Sequence, residues 1–397
     1  MTQQQQTQDP ALTEGGVLGS LVDVHPEEFA SAHWAQRPLV SRGRDLGGDR
    51  LFGSAAVDEL ISRRGLRTPF LRVAKDGATL PNSSFTAPGG VGASIGDQLD
   101  DTALWRHLEG GATLVLQALH RTWDPVGELC SRLAHDLGHP VQANAYITPP
   151  QNRGFSDHYD VHDVFVLQVE GSKRWIIHEP VHPDPLRDQP WTDRRAAVEE
   201  AARGEAVVDT VLEPGDVLYL PRGWLHAAEA QGAVSIHLTL GVHIWTRFAV
   251  AEQLVQAALR SLQDDPAMRA TLPLGPLDVA AEVDRVRERL TAALTDADPA
   301  PALRRTQRSQ TRPAPLGPLA QLATLQDLQD DTAVRLRPAL DARLVDATLT
   351  SRVTPFPVGA EETDAVERLL TGQVRTVADL GHDLARRLLR AGILVPG

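Results

Sequence analysis

The chain has 397 residues, 42% of them hydrophobic, with 39 Lys and Arg against 52 Asp and Glu. That length predicts two or three domains, and the net charge of −13 disfavours general nucleic-acid binding and suits a basic partner. No run of about 18 apolar residues is present, so no membrane-spanning helix is expected, and the single Cys130 excludes an internal disulfide and fits a cytoplasmic protein.

Residues 1–16 are polar and lack a basic stretch followed by an apolar one, so they are expected to form a disordered tail rather than a leader. From 21 to 40, LVDVHPEEFASAHWAQRPLV predicts a helix with Pro26 in its first turn, closed by Arg37-Pro38 and followed by a strand. The Gly/Pro/Ser stretch 80–97 is expected to be a loop. ATLVLQAL (112–119) reads as a buried strand. Asp124 then offers an N-cap, Pro125 the first helical position, and the helix ends at Gly138, with Cys130 among its buried residues.

Six strand-like segments follow: PVQANAYITP, DVFVLQVEG, KRWIIHEP, AVVDTVLE, DVLYLP and AVSIHLTLGV. They are rich in Val, Ile, Leu and Tyr and divided by the turn signals GSK, EPGD and PRGW. Short strands spaced this way after one helix predict a small barrel or sandwich. Beyond 246 the rhythm becomes helical over 246–262 and 277–295. Residues 299–318, rich in Pro, Arg and Gln, read as a linker. The segment 331–397 ends in two helices and a short strand, an arrangement similar to a winged-helix domain. Its carboxylates offset its arginines, so protein interaction suits it better than DNA.

The chemistry concentrates in GFSDHYDVHDVFVLQVEGSKRW (154–175). On a strand, residues two apart share a face, so His158 and Asp160 would project together. His226, delivered by the PRGW turn, is the best third ligand, with His237 and His243 as rivals. Two histidines and a carboxylate form the facial set of non-haem iron(II) oxygenases. Three protein ligands leave positions for a chelating 2-oxo acid and for O2. Such a co-substrate needs a cation for its distal carboxylate. Lys173, in the turn after the first strand, offers one, while Arg174 would point the other way. A solvated turn lysine is the ordinary alternative for Lys173, as core aromatics are for Trp175 and Trp224.

NAYITPPQNRGFSDHYDVHDVFVLQVEGSKRWIIHEP and EPGDVLYLPRGWLHAAEA resemble the JmjC ribosomal oxygenases, also called the cupin-4 family. The likeness is dense over 130–245 and thinner outside. It implies an α+β architecture: a double-stranded β-helix (JmjC/cupin barrel) over 17–245, a helical dimerisation region over 246–330 and a winged-helix-like domain over 331–397. It implies Fe(II), 2-oxoglutarate and O2, and hydroxylation of a protein side chain, with a basic ribosomal protein as partner and a homodimer as assembly. By motif position His158, Asp160 and His226 would hold the metal and Lys173 the co-substrate. Asn144, Tyr146 and His237 match positions lining the family's site, Asn144 and His237 on the cofactor side and Tyr146 on the substrate side. Lys173 stands where the family's bacterial arginine hydroxylase has Arg, which is nearer the histidine-hydroxylase branch. His162 departs from the family pattern; it could touch substrate, serve as a spare ligand, or lie half-exposed beyond the rim. Three other readings stay open: an oxygenase acting on a free amino acid, peptide or natural-product intermediate, a non-catalytic metal-binding cupin, and a zinc enzyme.

Overall fold

The structure is a computed structural model that describes residues 16–75, 77–150, 152, 156–272, 274–276, 279–310 and 312–397. The expected tail falls outside it up to residue 15, and Gly16 already opens a helix, Gly16–Leu21. The chain divides between Ile244 and Trp245 into two compact units. No helix among the described residues is long and apolar enough to cross a membrane.

The first unit is built on a nine-stranded sheet: β1 (Leu39–Ser41), β2 (Leu71–Lys75), β3 (Ala78–Thr79), β4 (Thr113–Leu116), β5 (Val141–Thr148), β6 (Asp163–His178), β7 (Val208–Leu212), β8 (Val217–Leu220) and β9 (Leu225–Val242). Neighbours run β1-β8-β6-β9-β5-β4-β2-β3, with β7 also on β6, and the pairings are antiparallel. Three helices used below are α1 (Ser54–Arg63), α2 (Asp101–Glu109) and α3 (Asp124–Leu137).

Two strands are longer than the sequence patterning predicts. DVFVLQVEG and KRWIIHEP are one strand, β6, that runs through GSK instead of turning there. Likewise β9 begins at Leu225 and includes His226, so that histidine sits on a strand and not in a turn. The ladder between them breaks register between Gln231 and His237. Gly171, at φ +60°, lies opposite the break, and a Cβ there would run into Val234 O. Only glycine fits that bend.

β6 is apolar on both faces. Phe165 and Leu167 join the main core with Phe29, Tyr219 and Leu238, while Val164, Val166, Trp175 and Ile177 form a second cluster with Leu218 and Trp224. This explains the unbroken apolar run, which in a one-sided sheet would alternate. α3 is capped by Trp123, with Asp124 and Pro125 in its first turn, one position from the expected start. Trp123 precedes the helix with an extended backbone, and its Nε1 donates to Leu51 O (2.9 Å). Cys130 is buried in α3, and burial pushes its thiol up to about 12.

The second unit begins with helices Arg247–Asp264 and Val279–Asp296. A helix, Ala300–Gln310, occupies most of the stretch expected to be a linker. The spacing of Ala302, Leu303 and Thr306 gives it a helical face that the Pro and Gln content hid, and Ala302 is buried. Strands Ala333–Leu336, Arg343–Val345, Thr348–Thr350 and Leu394–Pro396 follow, with a last helix His382–Arg390 burying Leu384, Ala385, Leu388 and Leu389. That spacing is one helical face, and it packs with Val334, Val366 and Leu394 in a separate core.

Candidate active site

His158 reaches its position through the backbone. His226 N donates to His158 O (2.8 Å) and His158 N to His226 O (3.2 Å), locking the two residues opposite each other at the mouth of β9. Their rings lie 4.4 Å apart. Asp160 sits outside any regular strand. Its carbonyl accepts from Gly223 N (3.0 Å), which turns its side chain to 3.9 Å from His226 Nε2. Thus His158 and Asp160 do converge, but by this loop geometry and not by strand alternation. One donor atom from each of His158, Asp160 and His226 lies within 4.8 Å of the others.

The protonation pattern suits a cation. His158 Nδ1 donates to Ser156 O (2.7 Å) and His226 Nδ1 to Trp224 O (3.1 Å). A carbonyl can only accept, so both Nδ1 atoms carry a proton, and in the neutral ring the lone pair is left on Nε2. Backbone carbonyls fix metal-ligating histidines in this way. Burial, together with nearby His158, pushes His226 down to about 4, so it is neutral near pH 7. Burial opposes ionisation of Asp160, but His162, His226, His158 and Arg72 outweigh it and hold the carboxyl below its usual value. The donor set therefore fits a divalent metal.

These atoms open onto a cavity of about 250 Å³, lined also by Arg72, Thr113, Tyr146, Lys173, Trp175, Trp191, His237 and Thr239. The register break explains the lining. In β6 the inward residues are Val164 and Val166 before Gly171, and Lys173 and Trp175 after it. In β9 they are His226 and Ala228, then His237 and Thr239. Each strand switches parity across the break, where residues 232–235 of β9 have no partner on β6 and the register shifts again between Ile236 and His237. Lys173 is therefore a buried strand residue, 3% exposed, and not a turn lysine. Its Nζ donates to Thr148 Oγ1 (3.1 Å), which also accepts from Thr113 Oγ1 (3.2 Å). Burial pushes the ammonium down to about 7. Arg174 points outward, as expected, and pairs with Asp209.

His237 stacks on Tyr146 (4.8 Å, 4° between planes) and meets the Trp175 ring edge-on. Burial, then Lys173, drives its pKa well down, so it is neutral. His237 Nδ1 and Trp175 Nε1 are both buried without a hydrogen-bond partner among the described residues. Orphaned polar atoms in a cavity of this kind call for a polar ligand. Asn144 lies two residues from Tyr146 on β5, but its Oδ1 accepts from Ala118 N (3.1 Å) and it is not among the described lining residues. His162 stacks on His243 (5.6 Å) and packs against Gly241, outside the cavity lining and the donor cluster.

Arg72, Trp191, Thr113 and Thr148 were not singled out from the sequence. Arg72 lies on β2, and its Nη2 donates to Tyr146 Oη (3.4 Å). Trp191, in the segment between β6 and β7, sits 6.3 Å from the His158 ring under the Arg195 guanidinium. Tyr159, buried beside His158, ties that segment down by donating to Gln189 O (3.0 Å). No motif announces these residues; only the sheet order brings β2 and β4 to the site.

Residues 120–249 match the family described as JmjC domain. Ribosomal oxygenase 1 of Gallus gallus is 32% identical over 278 residues, covering 67% of this chain and 44% of that protein. The chain belongs to the JmjC ribosomal-oxygenase family. A Drosophila erecta relative, Bifunctional lysine-specific demethylase and histidyl-hydroxylase NO66, is 38% identical over 161 residues, 40% of this chain and 24% of its own length. The chain spans less than half the length of these curated relatives. Escherichia coli YcfD, a ribosomal oxygenase solved with cobalt and succinic acid, superposes with a TM-score of 0.56 at 16% identity, over 94% of this chain and 98% of that one. This likeness shows the JmjC/cupin-like fold, a β-sheet core with flanking helical regions.

Proposed function

We propose that this JmjC protein is an Fe(II)- and 2-oxoglutarate-dependent dioxygenase that hydroxylates a side chain of a basic protein, of the ribosomal kind that its relatives' names carry. The observation that carries the reading is the placing of two Nε2 lone pairs and one carboxylate at the wall of a cavity whose other wall holds a buried lysine. Iron(II) with 2-oxoglutarate supplies the oxidising chemistry, inserting one atom of O2 into a C–H bond and leaving succinate and CO2.

The chain's own residues divide the work. His158, Asp160 and His226 would hold the metal on one side only, which leaves its other positions to ligands. Lys173 would meet the distal carboxylate, with the Trp175 Nε1–H as a further donor nearby. The stacked Tyr146 and His237 rings, with Val164 and Val166, exclude water from the floor. Arg72 places a fixed positive charge beside Tyr146. That charge disfavours a guanidinium or ammonium in the cavity and supports a neutral side chain such as histidine; the Drosophila relatives' name states histidyl hydroxylation for them, beside lysine demethylation.

The antiparallel pairing of two bent strands, β6 and β9, supports a double-stranded β-helix. Exposed Phe248, Val250, Val255 and Leu259 on Arg247–Asp264 support a homodimer through the helices after 245, and the helices and strand closing the chain support a winged-helix-like end. The test is succinate formation from 2-oxoglutarate with Fe(II), ascorbate and O2, in wild type and Asp160→Ala. Turnover in wild type alone is expected. Equal turnover in both, or no 2-oxoglutarate binding by the metal-loaded wild type, would overturn the reading.

A further inference from the structure

The sheet that carries the cavity has a second concavity on its reverse side. Thr113 and Tyr146 face the cavity. Their neighbours Leu114 and Ile147, paired across β4 and β5, face away, because successive strand residues alternate. These two floor a groove of about 340 Å³ between α1 and α2, within the usual size of a ligand pocket. Val57 and Leu104 lie buried beneath it with Leu114 and Ile147, and the apolar surface it offers is the half-buried Ile61 from α1 and Leu108 from α2, beside Trp105.

The rim is different. Asp58 and Asp101 stand exposed on it, and no lysine or arginine is among the described lining residues. Asp58 has no ion-pair partner among the described residues. Trp105, one turn from Asp101 on the same helix face, is 60% exposed beside the opening. A single exposed apolar residue needs no explanation. An exposed tryptophan over an apolar groove has the make-up of a binding hot spot.

The charge of the chain points the same way. Residues 1–244 hold 20 Lys and Arg against 32 Asp and Glu, whereas 245–397 hold 19 against 20. Almost all of the net negative charge therefore belongs to the unit that carries this groove, where it draws cationic partners.

We propose that the α1–α2 groove docks a cationic protein segment, which lays an apolar side chain on Trp105, Ile61 and Leu108 and sets lysines or arginines against Asp58 and Asp101. This goes beyond the oxygenase reading and does not depend on it. Two rival occupants fit the charge less well. The chain's own residues 1–15 carry Asp9 and Glu14 and no Lys or Arg. A second copy in a two-fold pair would set the same acidic rim against itself.

The test is fluorescence anisotropy on the full chain with a labelled twelve-residue peptide of lysines flanking a central Leu-Phe pair, at low salt. Saturable binding is expected. Trp105→Ala should weaken it about tenfold or more, and neutralising Asp58→Asn with Asp101→Asn about fivefold. Ser62→Arg, on the exposed rim, should weaken it without touching the core, which covers the case of a Trp105 variant that folds poorly. Glu199→Gln, an exposed carboxylate on another helix, should leave it unchanged. The proposal is overturned by absence of saturable binding, by wild-type affinity in both Trp105→Ala and Ser62→Arg, or by an equal loss in Glu199→Gln. It is overturned too if serines in place of Leu-Phe bind equally, or if Trp105→Ala changes the mass of the chain in solution, which would assign the groove to a second copy.

Discussion

Lys173 gives the sharpest quantitative handle on the site. Its ammonium is buried and pushed down from 10.5 to about 7. At pH 8 about one molecule in ten therefore carries the charge before 2-oxoglutarate arrives. A carboxylate laid against Nζ favours the charged form, so binding at pH 8 should take up about 0.9 proton, and at pH 6 only about 0.1. Above pH 7 the affinity should fall about tenfold per pH unit. The same shift acts on folding with a definite sign. Between pH 7 and 10.5 the unfolded chain binds this proton and the ligand-free fold does not, so stability rises with pH in that window, by about 1.4 kcal/mol per unit from this group. Calorimetry of 2-oxoglutarate binding to anaerobic, metal-loaded protein reads the uptake directly, as the slope of heat against buffer ionisation enthalpy. Lys173→Arg should bind without uptake, since a guanidinium is always charged. Tight binding at pH 8 with a slope near zero in wild type, or the same slope in Lys173→Arg, would refute the reasoning.

Asp160→Ala should lose metal affinity and turnover while unfolding at nearly the wild-type temperature, as metal titration and thermal melts would report. Arg72→Gln should leave succinate formation largely intact but lower hydroxylated product per succinate, measured by mass spectrometry of a peptide substrate. Phe165→Ala removes a fully buried ring packed between Phe29 and Tyr219 and should cost about 3–5 kcal/mol in denaturant unfolding. Deleting 246–397 should convert a dimer to a monomer by light scattering.

Much of the site was legible in the sequence because its residue types are costly to place without a purpose. His158 and Asp160 just before the apolar run DVFVLQVEG, and Lys173 just after it, stand out by their chemistry. What was not legible is where the strands bend. GSK reads as a turn by composition, yet Gly171 serves a bulge inside one strand, since whether a glycine ends or bends a strand depends on Val234 across the ladder. PRGW likewise predicts a turn that carries His226, whereas β9 already begins at Leu225. Arg72 escaped because it comes from β2, joined to the site only through β4 and β5. Asn144 illustrates the converse: it shares a strand with Tyr146, but a backbone amide at Ala118 claims its oxygen. The Ala300–Gln310 helix was hidden because Pro299 and Pro301 suggest a linker, whereas proline is tolerated in a first helical turn.

The bend at Gly171 also separates the two halves of the site structurally. His158, Asp160 and His226 are set by the His158–His226 backbone pairing and the Gly223–Asp160 bond, none of which involves residue 171. Lys173 and His237 face inward only because both strands change parity across the break. Gly171→Ala puts a side chain at φ +60°, a cost of about 1 kcal/mol, and drives its Cβ into Val234 O, so the ladder must shift locally. A shift of one residue would turn Lys173 outward and Arg174 inward. Metal affinity should then survive in Gly171→Ala, while 2-oxoglutarate affinity falls at least tenfold, close to the loss in Lys173→Met. Metal titration and 2-oxoglutarate binding on the same preparation separate the two. Equal loss of both would mean that the metal cluster depends on the bulge, and unchanged 2-oxoglutarate affinity would mean that the bend does not set the orientation of Lys173.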